Sequence, residues 1–539
     1  CILSPVTIPN EKNFTSHYKA GKYLTESVLV CGLIPRYGMG DIEYAGVNNS
    51  GLSKINGQWI KKKSWKQDKE GKLFLRYERS ILDLPDNHLP ELNKNKLSVQ
   101  NYVSDFISGF KRGYNFIKNN QHFFLDQLGN FEGIKTRVIL RPTHVYARLL
   151  MTESNHPDYQ RNAIHVDVLL DNLWGYYGEK SMPGEIIQSE INQLWNGEIP
   201  YFYTYTNSKH LWDDKDNLII ENYFEETGIE LSKRKLLRLS REDINKQLSI
   251  IQNSFVIFEK YNTKVNVTPL LPFEKKNFAL KQVEKQILIN EAVKIGEYIY
   301  TKAFNDNDKE FSWIDLTLGK DNTWILDVKN KGLFDGTDGI ALFFAYLYKY
   351  TENDKFKKIA KNIALISLEE FNKVKDIGIF KNGQISFFIY PCSTLYLLDH
   401  LSVILKDEKL FPTCYLNKFY DWIDTQLQYD KHFDLLNGAV GSLHLLLNIY
   451  ERTQDEQSLK LAIKCGDYLL ENAIEINGGI AWNAEKFKLF GGFSHGTSSY
   501  SWILFRLWKM SNSEKYYNAA KKALIYDRSL FSIKHNTWI

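Results

Sequence analysis

A single histidine, His495, stands between glycines in the stretch GGFSHGTSSYSWILFRLW, residues 491–508. An imidazole at the mouth of an apolar helix can carry a proton near neutral pH. It can equally serve as a plain helix cap, and the residues alone leave both readings open. A second chemical stretch is TRVILRPTHVYARLL, residues 136–150. There Arg137, Ile139 and Arg141 share one face of a short strand, with Val138 and Leu140 on the other. Pro142 then ends the strand and opens a helix beginning near Thr143. Two arginines and a threonine at a strand-to-helix junction suit a phosphate, because Arg offers a planar fork of donors and a helix N-terminus offers free N–H groups. The alternative is an edge strand whose arginines pair with carboxylates. A third set, Asp335, Asp338 and Asp434, lies near glycine turns and could flank a glycosidic bond, which needs two carboxylates.

The elements that must position these residues are repetitive. FDGTDGIALFFAYLYKYT, LNGAVGSLHLLLNIYERT and the His495 stretch align on Gly336, Gly438 and Gly496. The apolar run then ends at the same offset, at Thr351, Thr453 and Ser511, and a second helical pattern brings Ala360, Ala462 and Ala520 into register. Each copy reads as a Gly-rich turn, a buried helix, a polar turn and an amphipathic helix. Helix pairs of this kind stack into a solenoid or close into a ring, with the glycine turns at one end.

The 539 residues allow two or more domains. A hydrophobic fraction of 43% and a charged fraction of 24% are those of an ordinary globular protein. A net charge of +4, with no concentrated basic patch, does not indicate a nucleic-acid partner. The basic run KKKSWKQDK from Lys61 reads as a solvated hairpin or loop. Cys1, Cys31, Cys392, Cys414 and Cys465 are far apart. No CxxC or Cys-His pair occurs, so the chain itself indicates no metal site and no disulfide framework, and a cytoplasmic setting fits. No apolar run nears the roughly 20 residues that span a bilayer. A first residue of Cys, with no initiator Met and no signal peptide, fits truncation better than a processed lipoprotein.

Along the chain, residues 1–96 read as irregular α+β. A helix follows from Leu97 with Tyr102, Phe106, Phe110, Tyr114 and Ile117 on one face. HPDYQRNAIHVDVLLDNLW reads as a helix, and IIQSEINQLWNGEIPYFYTYT as a helix leading into an extended segment. A long helix from Leu239 has Ser240 as its N-cap. Pro269 and Pro272 mark the domain junction, and nearly everything beyond is expected to be helical.

The order RVILRPTHVYARLL, HPD, LWNGEIPYF, then a helical repeat domain with GFSHG, resembles a class II lanthipeptide synthetase almost end to end. The resemblance implies an α+β dehydratase portion over residues 1–270. An all-α toroid (an α/α barrel like the lantibiotic cyclases) would follow over 280–539, incomplete at its C-terminus. It implies phosphorylation of Ser and Thr in a precursor peptide, elimination of phosphate, and addition of Cys thiols to form thioether rings. On the matching positions, elimination falls to Arg137 and Thr143, with Arg141 a supporting phosphate-binding residue by proximity. Cyclisation falls to Asp434 and His495.

The same resemblance implies ATP with Mg²⁺ and Zn²⁺ as cofactors of the full-length enzyme. The kinase-like motifs would precede Cys1 and the zinc ligands would follow Ile539, so neither set is expected within this chain. Ser499 departs from the glycine usual at its repeat position. The implied partners are a leader-core precursor peptide and a dedicated exporter, with the protein cytoplasmic or peripheral to the inner face of the membrane. As it stands the chain is expected to be inactive or only partly active. A sugar-processing α/α barrel and a non-catalytic peptide-binding relic are the competing readings.

Overall fold

A computed structural model describes residues 16–34, 58–67, 71–82, 90–93, 95–97, 99–141, 143–176, 182–262, 284–306, 309–318, 324–374, 383–483 and 489–538. These fall into two compact units, one from Thr25–Lys264 and the other from Thr15–Leu24 with Val265–Ile539. Helix α1 (Ser16–Glu26) opens the described chain. Cys1, Pro142, Pro269 and Pro272 lie outside the described residues.

The first unit begins with two antiparallel hairpins, β1 (Gln58–Gln67) with β2 (Leu73–Leu82) and β3 (Glu91–Leu92) with β4 (Asn95–Lys96). The basic run from Lys61 is therefore a hairpin strand. Helices α2 (Val103–Asn119) and α3 (Gln121–Gln127) come next. Strand β5 (Lys135–Val138) leads to α4 (Thr143–Asn155), α5 (Ala163–Leu170) and α6 (Gly184–Trp195). Then β6 (Phe202–Tyr205), β7 (Leu211–Asp213) and β8 (Leu218–Ile220) complete a four-stranded antiparallel sheet ordered β5-β6-β7-β8. Helices α7 (Gly228–Leu237) and α8 (Arg241–Asn262) follow. Ser240 does cap α8, its hydroxyl accepting from the Asp243 amide at 3.0 Å.

Two local expectations fail here. The HPD stretch is mostly turn, and α5 starts only at Ala163, because the Asn162 side chain caps it by accepting from the Ile164 amide at 3.0 Å. The strand through Arg137 stops at Val138, so Arg137 and Ile139 are exposed while Arg141 is buried.

One face of the sheet is apolar: Val138, Phe202 and Leu211 pack with Ile186 of α6 and Phe224. Alternation sends the neighbouring residues to the opposite face.

In the second unit α9 (Lys285–Lys302) leads to two hairpins, β9 (Phe304–Asp306) with β10 (Glu310–Ser312) and β11 (Ile314–Leu318) with β12 (Trp324–Val328). Four helix pairs follow: α10 (Thr337–Thr351) with α11 (Asp354–Lys373), α12 (Cys392–Ile404) with α13 (Leu416–Leu427), α14 (Ala439–Thr453) with α15 (Glu456–Glu471), and α16 (Thr497–Ser511) with α17 (Glu514–Ser529). Hairpins β13 (Ile474–Ile476) with β14 (Gly479–Ala481) and β15 (Phe531–Ser532) with β16 (Thr537–Trp538) complete the described elements. The first helices of the pairs stand side by side in the order α10, α12, α14, α16. Together the pairs enclose one apolar core that includes Phe344, Phe371, Leu398, Leu446 and Leu504.

The three-copy repeat is visible atom for atom. Gly336, Gly438 and Gly496 are the N-caps of α10, α14 and α16, each with extended backbone. A Cβ at any of the three would run into the backbone of the incoming loop, so close approach is what demands glycine there. Each helix ends in a left-handed residue, Glu352, Gln454 and Asn512, with φ of 54°, 56° and 52°. Ala360, Ala462 and Ala520 are fully buried in the second helices. The α12–α13 pair lacks the glycine turn and was therefore not legible as a copy.

Candidate functional site

The residues that depart from the repeat are the ones with chemistry. The position just before the capping glycine holds Asp335, Asn437 and His495 in the three copies. Four residues before it stand Gly332, Asp434 and Gly492. His495 and Asp434 thus come from different copies, and the fold joins them: His495 Nδ1 lies 2.6 Å from Asp434 Oδ2. The Asp434 side chain is 1% exposed and that of His495 33% exposed, so a buried carboxylate backs a ring that reaches solvent. A carboxylate on Nδ1 fixes which nitrogen carries the proton and leaves Nε2 for proton exchange.

Buried carboxylates hold both loops. Asp430 accepts from the amides of His432, Phe433 and Ala439 at 2.8, 3.1 and 2.8 Å. Burial pushes its pKa up to about 6, with those three donors working in the opposite direction. This ring of bonds holds Phe433 at a φ of 59°, a conformation rare for an aromatic residue, and so aims the next residue, Asp434. Asp434 Oδ1 also accepts from the Asn437 amide at 2.7 Å. The His495 loop is gripped by Asp527 of α17, which accepts from the Gly492 amide at 2.9 Å and the Ser498 hydroxyl at 2.8 Å. Sequence reasoning missed Asp430 and Asp527, since neither belongs to a motif and each matters only through contacts made in the fold. Ser499, where Gly339 and Gly441 stand in the other copies, is buried and donates its hydroxyl to the Gly496 carbonyl at 3.0 Å.

Beside the dyad is a cavity of about 610 Å³ whose lining includes Phe343, Phe387, Tyr396, Trp502, Leu435 and Phe493. Leu435 follows Asp434 directly and Phe493 lies two residues before His495, so both loops of the dyad contribute to the cavity wall, while the dyad side chains themselves do not line it. His444 also lines it, with Arg506 Nη1 2.7 Å from its Nδ1. Burial, then Arg506 and His400, lower the His444 pKa to about 4, so this imidazole is neutral at neutral pH.

In the first unit the two arginines have separate fates. Arg141 is 5% exposed and donates through Nε to both oxygens of Glu190 at 2.8 and 3.0 Å. Tyr146 donates to the same carboxylate at 2.6 Å. Arg141, expected to support a substrate phosphate, is thus held by Glu190: with its strand ending at Val138, it turns inward to α6. Arg137 remains exposed on the edge strand, its guanidinium carbon 5.6 Å from the centre of the Tyr201 ring. Among the described residues no carboxylate pairs with it. Thr143 is exposed at the first position of α4, five residues beyond the end of β5.

Zinc finds no fit among the described residues: no three His, Cys, Asp or Glu gather where they could hold an ion. Cys392 and Cys465 are core thiols whose pKa burial drives up. The described helices also include none long and apolar enough to cross a membrane.

Residues 327–539 match the family described as lanthionine synthetase C-like protein, and residues 1–205 match a domain of unknown function, DUF4135. The lacticin 481/lactococcin biosynthesis protein LcnDR2 of Lactococcus lactis subsp. lactis is 23% identical over 96% of this chain. In its order of domains and along most of its length, the chain is thus similar to proteins of lantibiotic biosynthesis. It spans 55% of the length of that curated relative. Lanthionine synthetase C-like domains are α/α toroids, and the expected mixed α/β portion followed by a helical toroid agrees with the helix pairs of the second unit, to which four small hairpins are added among the described residues. Two solved structures of an unsaturated glucuronyl hydrolase from Streptococcus agalactiae, one of them a mutant, align over 48% of this chain at 16% and 13% identity. They cover 66% and 70% of those chains with TM-scores of 0.30 and 0.28, a likeness too slight to speak to activity.

Proposed function

We propose that this chain contributes two steps of lanthipeptide synthesis, phosphate elimination in the first unit and thioether formation in the second. The observation that carries the reading is the His495–Asp434 contact of 2.6 Å, made between two repeat copies whose loops contribute Leu435 and Phe493 to the wall of an aromatic cavity. The substrate is a precursor peptide bearing dehydrated Ser or Thr and free Cys. His495 takes the proton of a Cys thiol as sulfur bonds to the β-carbon of the dehydroamino acid. It then returns that proton to the α-carbon, where the electron pair of the double bond has gone. Asp434 orients the ring and stabilises its protonated form.

For elimination, Arg137 and Thr143 meet the phosphate from either side of the β5–α4 turn. Arg137 supplies the fork, and Thr143 its hydroxyl together with the amides of the helix start. As a general base takes the α-proton, the C–H electron pair forms the Cα=Cβ bond, the Cβ–O bond breaks, and phosphate departs with the pair of the broken bond against this positive lining. Arg141, Glu190 and Tyr146 keep the turn in place. The family resemblance adds ATP with Mg²⁺ and zinc for the whole enzyme, and a cytoplasmic location suits the free cysteines.

The sugar-processing alternative needs two accessible carboxylates. Asp338 does not qualify: it is fully buried and takes hydroxyl hydrogen bonds from Ser367, Ser393 and Thr394 at 2.8, 2.7 and 3.0 Å.

The test supplies the full-length gene product with a synthetic peptide that already contains dehydroalanine and a free Cys. Loss of alkylatable thiol is followed by mass spectrometry. His495→Asn should slow ring closure by about a hundredfold or more, the scale of a general acid–base group, and Asp434→Asn by less. Ring closure by His495→Asn at the wild-type rate would remove the dyad from the mechanism.

A further inference from the structure

We infer that Tyr201 is a positioning residue for phosphate elimination, acting through Arg137; this rests on the role proposed for Arg137 above. Tyr201 lies just before β6, in the turn that follows α6. Arg137 on β5 pairs in register with Tyr203 on β6, so Tyr201 is its diagonal neighbour on the same sheet face. At 5.6 Å from the ring centre, the guanidinium is within cation–π range.

Tyr201 is itself held. Its amide donates to Gln193 Oε1 of α6 at 2.7 Å, and its ring lies 6.2 Å from that of Tyr203. Gln193 is buried and in turn donates to Ser189 at 3.2 Å. A rigid ring with a fixed backbone therefore stands under a long, otherwise mobile side chain.

The neighbouring cations make the contrast. Lys135 is 2.7 Å from Asp216 and sits over the Tyr203 ring, and Arg141 is spent on Glu190. Arg137 rests on an aromatic face, and a π face, unlike a carboxylate, leaves the in-plane N–H donors free. It fixes the fork without occupying it, which is what a phosphate-binding arginine requires. At 37% exposed, Tyr201 has an open side that lets a peptide reach the fork.

The experiment uses the full-length gene product with its precursor peptide, ATP and Mg²⁺, and counts phosphorylated against dehydrated Ser and Thr by mass spectrometry. Tyr201→Leu keeps apolar bulk without a π face, and Tyr201→Phe keeps the face without the hydroxyl. Tyr201→Leu should raise the phosphorylated-to-dehydrated ratio by about two- to fivefold, the worth of an exposed cation–π contact. Total phosphorylation and melting temperature should stay unchanged, and Tyr201→Phe should match wild type. The defect should lie in the elimination rate constant at saturating peptide rather than in KM. A wild-type ratio in Tyr201→Leu, while Arg137→Ala accumulates phosphopeptide, overturns the inference alone. If Arg137→Ala itself dehydrates normally, the elimination reading fails and this inference fails with it.

Discussion

A guanidinium locked to a buried carboxylate cannot offer the same donors to a substrate, and this separates Arg141 from Arg137. Both arginines were legible as phosphate candidates from a strand-to-helix junction. Which one faces outward was not, because that depends on where β5 ends and on Glu190, 49 residues further along the chain. Arg137→Ala and Thr143→Ala should each let phosphopeptide accumulate in place of dehydrated product, by about tenfold or more for the loss of a charged hydrogen-bonding group. Intact-mass analysis checks this, and normal dehydration by both variants would remove them from the reaction.

At the aromatic cavity of the second unit, His444 gives a pH signature. Its folded pKa of about 4 lies below the roughly 6.5 of an unfolded imidazole, so between those values the unfolded chain binds more protons. Folding stability tied to this group is therefore complete above pH ~6.5 and is lost as pH falls toward about 4. Asp430, raised to about 6 from an unfolded value near 3.9, runs the other way and loses stability as pH rises through that window. The wild-type profile is the partial cancellation of the two. His444→Gln should keep the Asp430 slope and lose its own. Its melting temperature relative to wild type should thus rise as pH is lowered from 6.5 to 4. A pH-independent difference would show that His444 is not held neutral.

The helix caps show what repetition does and does not reveal. Glycines at the helix starts were readable because close backbone approach forbids any Cβ, and the same physics recurs in three copies. The helix ends carry the opposite signal: Glu352 and Gln454 adopt the left-handed conformation without being Gly or Asn, while Asn512 suits it. Glu352→Gly and Gln454→Gly should each raise stability by about 1 kcal/mol, the steric cost of a Cβ in that region. The corresponding change at Asn512 should give less. Thermal melts decide it, and equal or negative effects at all three would mean the caps are unstrained.

The helix pair and one of the hairpins that escaped the sequence reading did so for nameable reasons. The α12–α13 pair has no capping glycine, so nothing put it in register. The β13–β14 hairpin turns on Asn477-Gly478, with φ of 50° and 72° at the two positions. Those angles suit the tight two-residue turn that Asn-Gly favours. The signal was in plain sight, but the surrounding helical pattern outweighed it.

At the scale of the whole chain, the proposed division of labour was readable through the family resemblance, because each half carries its own motif. The second unit brings His495 and Asp434 together across 61 residues, a pairing that the family resemblance implied and that the repeat pattern alone did not show. The holders, Asp430 and Asp527, were invisible until the loops were folded. The central claim is that the two units act in succession on one peptide, and product analysis of two variants tests it most directly. The full-length gene product and its precursor would be produced together, and the peptide treated with a thiol-alkylating reagent before mass analysis. Arg137→Ala should yield phosphorylated peptide with all thiols alkylated, and His495→Asn should yield dehydrated peptide that is also fully alkylated. Thioether-ringed, unalkylated product from His495→Asn, or the same intermediate from both variants, would contradict the account.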